Sequence, residues 1–385
     1  MKNFFPIWIT LQIIDGTRVV KEERKVFFFR LIFFIFAILN ILVTVNLSFA
    51  QVEDEKKREE ERIKEWEKAL KLYPVAPKAI KLDYKFSFPG NDLERGGVYF
   101  VGADHLCFDN DGNIYISDSR ENCIYKVDLQ GRFLKKMGRR GQGPKEFNNV
   151  LFLDTDKENN LIVYDGGNRR IQILDSNGDY LRSFKIFNTG WAMVCNKRGY
   201  IYAGLRAFNL NDPLVGVFDY QGKMISSFGQ RLKFPSRSFG SLPIHLSMNN
   251  KNEIFLTWWF FPIVRRYSER GELLSEYKIE HKIMQEDGKK NYEVLSKTSD
   301  SSPRLDIITT NIRAKDDGFY LLRYYPRIEL LEVGLDGEIK NIYWADQTYD
   351  FIASDFLIKE DDKEKYFYIL QRYPENKIIV YSAKK

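Results

Sequence analysis

The segment from His105 to Phe184 carries one pattern written twice. HLCFDNDGNIYISDSRENCIYKVDLQGRFLKKMG is followed by FLDTDKENNLIVYDGGNRRIQILDSNGDYLRSF. Each copy has four short apolar or alternating runs, separated by clusters of Asp, Asn and Gly. Such runs between turn signals predict β-strands, and four in succession predict an antiparallel sheet. One sheet of four strands cannot bury both of its faces alone, so units of this kind stack on their neighbours.

The pattern continues along the chain. Its turn glycine between third and fourth strands recurs in DLQGRF (Gly131), DSNGDY (Gly178), DYQGKM (Gly222), SERGEL (Gly271) and GLDGEI (Gly337). The first four lie about 40–50 residues apart, the spacing of propeller blades. The last interval is longer because residues 280–306, a polar stretch without strand pattern, are inserted; that stretch reads as a lid or an interface loop. A second turn recurs as NDGN at 110–113, KENN at 157–160, KRGY at 197–200, NKNE at 250–253 and DDGF at 316–319. Five units are complete. A sixth, beginning at Asp355, offers three strands, and one strand, Ile80–Phe88, stands alone before the first unit. The two ends of the chain are therefore expected to share a blade. The fold class is all-β: a six-bladed β-propeller of four-stranded antiparallel blades over residues 78–385, closed by an N-terminal strand. Closure removes the unpaired edges of an open array. The aromatic content, 15% with 30 Phe and 22 Tyr, suits pleated, half-buried strands.

Two segments resemble the NHL-repeat family of six-bladed propellers. MGRRGQGPKEF (Met137–Phe147) is similar to that family's Gly-rich connector between blades, and YDGGNRRIQILD (Tyr164–Asp175) to its Asp-x-x-Asn-x-Arg-Ile core. SDSRENCIYKVD (Ser117–Asp128) is a looser copy, and the later units depart from the pattern. The chain also resembles the exported six-bladed propellers of uncharacterised function found in bacteria, although it lacks their frequent lipoprotein Cys.

Residues 26–50 form an apolar run preceded or opened by Lys21, Arg24, Lys25 and Arg30, and ending in Ser48-Phe49-Ala50. Positive flank, apolar centre and small residues at the end read as an export signal, or as a membrane anchor if uncleaved. The expected location is the periplasm or the cell surface, and contact with a membrane is expected only through this segment. Residues 51–77 read as a charged helical linker ended by Pro74 and Pro77, with a thin stripe of Ile63, Trp66 and Leu70. It is either a spacer or a helix packed on the side of the domain. The formal net charge is +6, and half of it sits in residues 1–50. The remainder is too balanced to suggest a nucleic-acid partner. Cys107, Cys123 and Cys195 make no disulfide framework and read as buried free thiols.

In a propeller, first strands line the central channel. When the blades are aligned on their second strands, His105 and His245 share a register with Phe152, Ala192 and Asn311, and with Asp355 or a neighbour. His105, His245 and Asp355 are thus candidate ligands for a channel metal, Zn or Ca, which the NHL resemblance permits; hydrogen-bonded channel histidines are the alternative, and otherwise no cofactor is expected. A second candidate is an arginine- and aromatic-bearing face. Turns after the second strands carry Arg120, Arg169, Arg206, Trp258, Arg265, Arg323, Tyr324 and Arg372, and connectors add Arg95, Arg139, Arg140, Arg231 and Arg237. Guanidinium forks and rings suit a protein, peptide or anionic glycan ligand. Arg170, within the NHL-like core, reads as a brace. The Asp109-Asn110-Asp111-Gly112 turn lacks the carboxylate partner of a calcium loop and reads as hairpin chemistry. No nucleophile triad, phosphate loop or Cys-x-x-Cys pair is present. Two functions remain: a binding module, or a metal-dependent lyase or lactonase with its site in the channel.

Overall fold

The computed structural model describes residues 54–76, 78–89, 99–187, 189–209, 211–235, 242–297 and 303–385. The expected signal or anchor segment, residues 1–50, lies outside them, as do Arg95 and Arg237. The chain divides into two compact units, Met1–Lys68 and Ala69–Lys385. In the first, the described residues are helical and belong to helix α1, residues 54–72, in which Arg58 pairs with Asp54 one turn away at 2.6 Å.

The second unit is a six-bladed β-propeller. Blade one runs Ala103–Phe108, Ile114–Asp118, Cys123–Val127 and Phe133–Met137, each strand antiparallel to the next. Blades two to five repeat this order, with inner strands Val150–Thr155, Thr189–Cys195, Ile244–Met248 and Asn311–Lys315. Alternation explains why both faces of a blade are apolar. In blade one Ile114 and Ile116 pack with Leu357, Tyr368, Leu370 and Val380 of blade six. Tyr115, between them, packs with Val150, Leu153, Leu161 and Val163 of blade two.

Blade six consists of Ile352–Glu360, Glu364–Tyr373 and Lys377–Lys384, completed by Asp83–Phe88 on the outside. Asp83 stands opposite Ser382 and Phe88 opposite Ile378. The ends of the chain thus share this blade. The sequence reading of Ile80–Phe88 as one strand is corrected, however. Ile80–Lys81 pairs in parallel with Tyr343 and Trp344 of blade five. Leu82 donates its N–H to Trp344 O at 2.8 Å and buries its side chain among residues of blades five and six. The stretch bends at this buried leucine and joins two blades.

The recurring turn glycines serve two ends. Gly131 has φ +76° and Gly222 φ +83°, values that L side chains rarely adopt. A Cβ at Gly131 would overlap the ring of Phe88 from blade six, and one at Gly222 the ring of Phe184 from blade two. Each turn is therefore also a socket for the outer strand of the preceding blade.

The insertion at 280–306 is corrected as well: it contains a helix, α2, Lys282–Lys297. Ile283, Met284 and Leu295 are buried. Asn291 bonds Phe260 O at 3.0 Å and Asp306 O at 2.7 Å, which fixes the helix on the side of blade four. With so few apolar positions among Lys and Glu, its helical period is faint in the sequence.

Gly222→Ala is expected to lower stability by about 1–3 kcal/mol, because overpacking and a left-handed backbone act together. Urea unfolding checks this, and an unchanged midpoint would mean that the Phe184 socket is not tight.

Candidate functional site

Starts of inner strands and turns after second strands lie at the same end of an antiparallel blade, so they meet at one mouth of the channel. There they enclose a cavity of about 220 Å³. The inner strands supply Asp104, His105, Phe152, His245, Asn311 and Ser354, the turns supply Trp259 and Tyr324, and the end of a second strand supplies Arg372. The register shared by His105, Phe152, His245 and Asn311 in the sequence is thus a shared position in space.

The channel below is crossed by Asp355, which is fully buried. Its Oδ1 accepts from Asn311 Nδ2 at 2.6 Å, Arg313 Nη2 at 2.5 Å and its neighbour Phe356 N at 2.7 Å. Its Oδ2 accepts from Leu106 N at 2.7 Å, with His105 Nε2 at 3.6 Å. Arg313 is held in turn by Phe356 O and Leu106 O. These residues do not fit a metal ion: the carboxylate lone pairs are taken by four donors, and a cation would stand against the guanidinium of Arg313. Among the described residues no group of three or more His, Cys, Asp or Glu converges as metal ligands. Arg313 was not singled out from sequence; its only signal there is a charge on a channel-lining strand.

Both histidines are neutral. Burial, opposed by Asp355 and reinforced by Arg313, pushes His105 down to about 4. Burial, with Arg313 and His105 adding to it, pushes His245 down to about 3. The His245 ring lies flat against Trp259, centroids 5.2 Å apart and planes at 8°. The His105 ring meets Phe152 edge-on at 5.3 Å. Asp104 is raised by burial, with Arg372 opposing, and pairs with Arg372 Nη2 through Oδ1 at 3.1 Å. Five buried polar atoms on residues lining this one cavity have no protein partner: Asp104 Oδ2, His105 Nδ1, His245 Nε2, Trp259 Nε1 and Ser354 Oγ.

The arginine face divides. Arg372 and Tyr324 reach the cavity. Arg120, Arg140, Arg169 and Arg206 are exposed, and Arg139 is tied to Glu146 at 2.8 Å. Two of the expected face residues, Trp258 and Arg323, are buried instead, and a third, Arg265, is tied to the outer strand of its blade. Trp258 is 1% exposed and lies under Arg265, whose Nε bonds Glu276 at 2.6 Å. Arg323 is buried against Glu329 at 2.9 Å. Trp258 and Arg323 end second strands, and Arg265 lies within a third strand. Strand pleat, not the turn, decides where those side chains go. Arg231 is likewise a brace, donating to three carbonyls of the neighbouring turn. In the NHL-like core, Arg170 bonds Asp165 Oδ2 at 2.8 Å and the carbonyls of Gly143 and Glu146, fastening the connector to blade two.

The opposite mouth is a second cavity of about 370 Å³, lined by Asp154, Cys107, Cys195, Arg313 and Lys315 among others. Asp154 there accepts from Cys195 N at 2.7 Å and Thr155 N at 2.9 Å. Burial nonetheless pushes Asp154 up to about 6. All three cysteines are free and buried. Asp109 holds its own turn, accepting from Asp111 N and Asn113 N and pairing with Lys126 at 2.8 Å.

A family profile, DUF5128, described as a 6-bladed beta-propeller, matches residues 98–255. This supports the six-bladed propeller and makes no statement about the NHL repeat. No curated protein matches the sequence. Among solved structures, the chain is similar to a protein of Bacteroides fragilis thought to be exported, with 11% identity, TM-score 0.53, and 81% of this chain and 98% of that one covered. It is also similar to a member of the DUF4221 family from Bacteroides vulgatus, with 10% identity, TM-score 0.51 and coverages of 80% and 99%. Virginiamycin B lyase from Staphylococcus aureus is matched at 13% identity, TM-score 0.47 and coverages of 74% and 98%, too distant to lend this chain its chemistry. The first two likenesses show the fold.

The two histidines set a pH dependence. Unfolded, each titrates near its ordinary 6.5, while the folded values lie at about 4 and about 3. As pH falls from about 6.5, the unfolded chain takes up protons that the fold refuses, so stability is lost until the folded values are reached. Asp154 has the opposite sign, since its folded form gains its proton first. A His105→Gln/His245→Gln variant is therefore expected to lose less stability than the wild type between pH 6.5 and 4.5. Urea unfolding at both values measures it, and parallel losses would mean that the histidines are charged in the fold.

Proposed function

We propose that the chain is an exported binding module that takes a small polar ligand at the Asp104–Arg372 mouth of its channel. One observation carries this reading: a single aromatic-walled cavity is lined by residues that hold five buried polar atoms without protein partners. An unsatisfied buried polar group costs about 1–3 kcal/mol, so their concentration favours a ligand that completes them. Cavities with convergent polar groups are where binding sites are expected. Export rests on residues 26–50, and the likeness to a protein thought to be exported agrees with it. The metal-dependent lyase or lactonase reading is the weaker one, because the lone pairs of Asp355 are already taken. The exposed Arg120, Arg140, Arg169 and Arg206, with Phe208 and Tyr373 exposed beside them, support a protein or peptide partner on the same face as a second contact. Nucleic acid is not an expected partner.

A thermal-shift panel of monosaccharides, uronic acids, amino acids and short peptides at millimolar concentration tests the site. A ligand at a hundred times its Kd adds about 2.7 kcal/mol, which would raise Tm by a few degrees. At least one class is expected to do so in the wild type but not in Trp259→Ala or His245→Ala. The site reading falls if no class shifts the wild type, or if the shift survives both substitutions.

A further inference from the structure

The charge and donor pattern of this cavity narrows its occupant, given the binding reading above. We infer that the mouth binds one uncharged polyhydroxylated ring, a neutral hexose or the terminal hexose of a glycan, and not the anionic glycan that an arginine-bearing face suggests.

Formal charge comes first. Among the described residues lining this cavity Arg372 is the only cationic side chain, and Asp104 already pairs with it at 3.1 Å. Both histidines are uncharged, so the lining carries no net charge. A ligand carboxylate would find the guanidinium engaged and would meet the free lone pairs of Asp104 Oδ2, a like-charge contact in a desolvated place.

The unpartnered atoms are mixed in kind. Trp259 Nε1 can only donate, Asp104 Oδ2 as carboxylate can only accept, and Ser354 Oγ does either. Asp355 beside Nε2 of His105 favours the tautomer with its proton there, which leaves Nδ1 as an acceptor. Hydroxyl groups answer such a set well, because each donates and accepts at once. A hydroxyl bonded to Asp104 makes a charge-assisted hydrogen bond, roughly twice as strong as a neutral one.

Shape agrees. Phe152, Trp259 and Tyr324 provide flat apolar walls for the C–H face of a ring. The volume, about 220 Å³, is below the roughly 300–1,000 Å³ of sites for drug-sized ligands, which fits a single ring.

Saturation-transfer NMR and calorimetry on the full chain test this with defined probes: methyl glycosides of glucose, galactose and mannose, the glucuronic and galacturonic acids, and L-glutamine. At least one neutral glycoside is expected to bind, at least 10-fold more tightly than its uronic acid. Asp104→Asn, nearly isosteric, is expected to weaken it at least 10-fold, and Ser354→Ala several-fold. Circular dichroism confirms that each variant is folded. A uronic acid that binds better than its neutral counterpart, and better still to Asp104→Asn, overturns the inference while leaving the cavity a binding site. L-glutamine binding that is lost in Arg372→Ala does the same. If no probe binds, the inference falls, and the thermal-shift panel then decides separately whether the binding site falls with it.

Discussion

The antiparallel pairing of Asp83–Phe88 with Lys377–Lys384 is the contact on which the rest of the structure depends. Every blade is apolar on both faces and is stable only between two neighbours. A ring satisfies that for all six blades, but only if it closes, and here closure is made by main-chain bonds between the two ends of the propeller. Phe88 then fills the socket at Gly131, so the closing strand is also the first step of the blade-to-blade packing that runs around the ring. The bend at Leu82 adds a second seam by giving blade five a fifth, parallel strand.

Closure also positions the chemistry at the centre. Asp355 belongs to blade six, Asn311 and Arg313 to blade five, and Leu106 to blade one, and all of them bond at one carboxylate. The floor beneath the mouth is thus a stitch across the blades at the closing joint. Buried ionic groups of this sort are costly unless their remaining hydrogen bonds are met, and here each oxygen of Asp355 has a donor. The contrast lies just above: in a lining built from five blades, five buried polar atoms have no protein partner. Saturation below and vacancy of partners above separate the part of the channel that holds the ring together from the part offered to a ligand.

Much of this was legible in the sequence, because a propeller repeats its instructions. Turn glycines counted the blades, three strands at one end and one at the other foretold the shared blade, and alignment on the second strand placed His105 and His245 at one level. The bend at Leu82 was not legible, since a buried leucine continues an apolar strand as naturally as it breaks one. Helix α2 was hidden by its polarity. The arginines show the limit most clearly. Arg323 is buried on its cross-strand partner Glu329, while Arg372 stands one place further along its own strand, level with Tyr324, and reaches the cavity. Asp104 and Ser354 carried no signal of their own; they matter through atoms that lack partners, and partnership is a property of the folded ring.

The shared blade also imposes an order in time. Lys85 and Glu364, paired across it, are 279 positions apart. At about 5–20 residues per second of synthesis, the first strand waits on the order of tens of seconds for its partner. Phe86 and Phe88 spend that interval on an unpaired edge, the feature from which aggregation starts. The five blades built from consecutive hairpins can form meanwhile, and the ring shuts last. A chain interrupted before Lys377 would hold nearly every blade and still present an open edge at each end. Completeness is therefore something this fold reports on its own surface: a finished molecule hides its edges, and an unfinished one displays them.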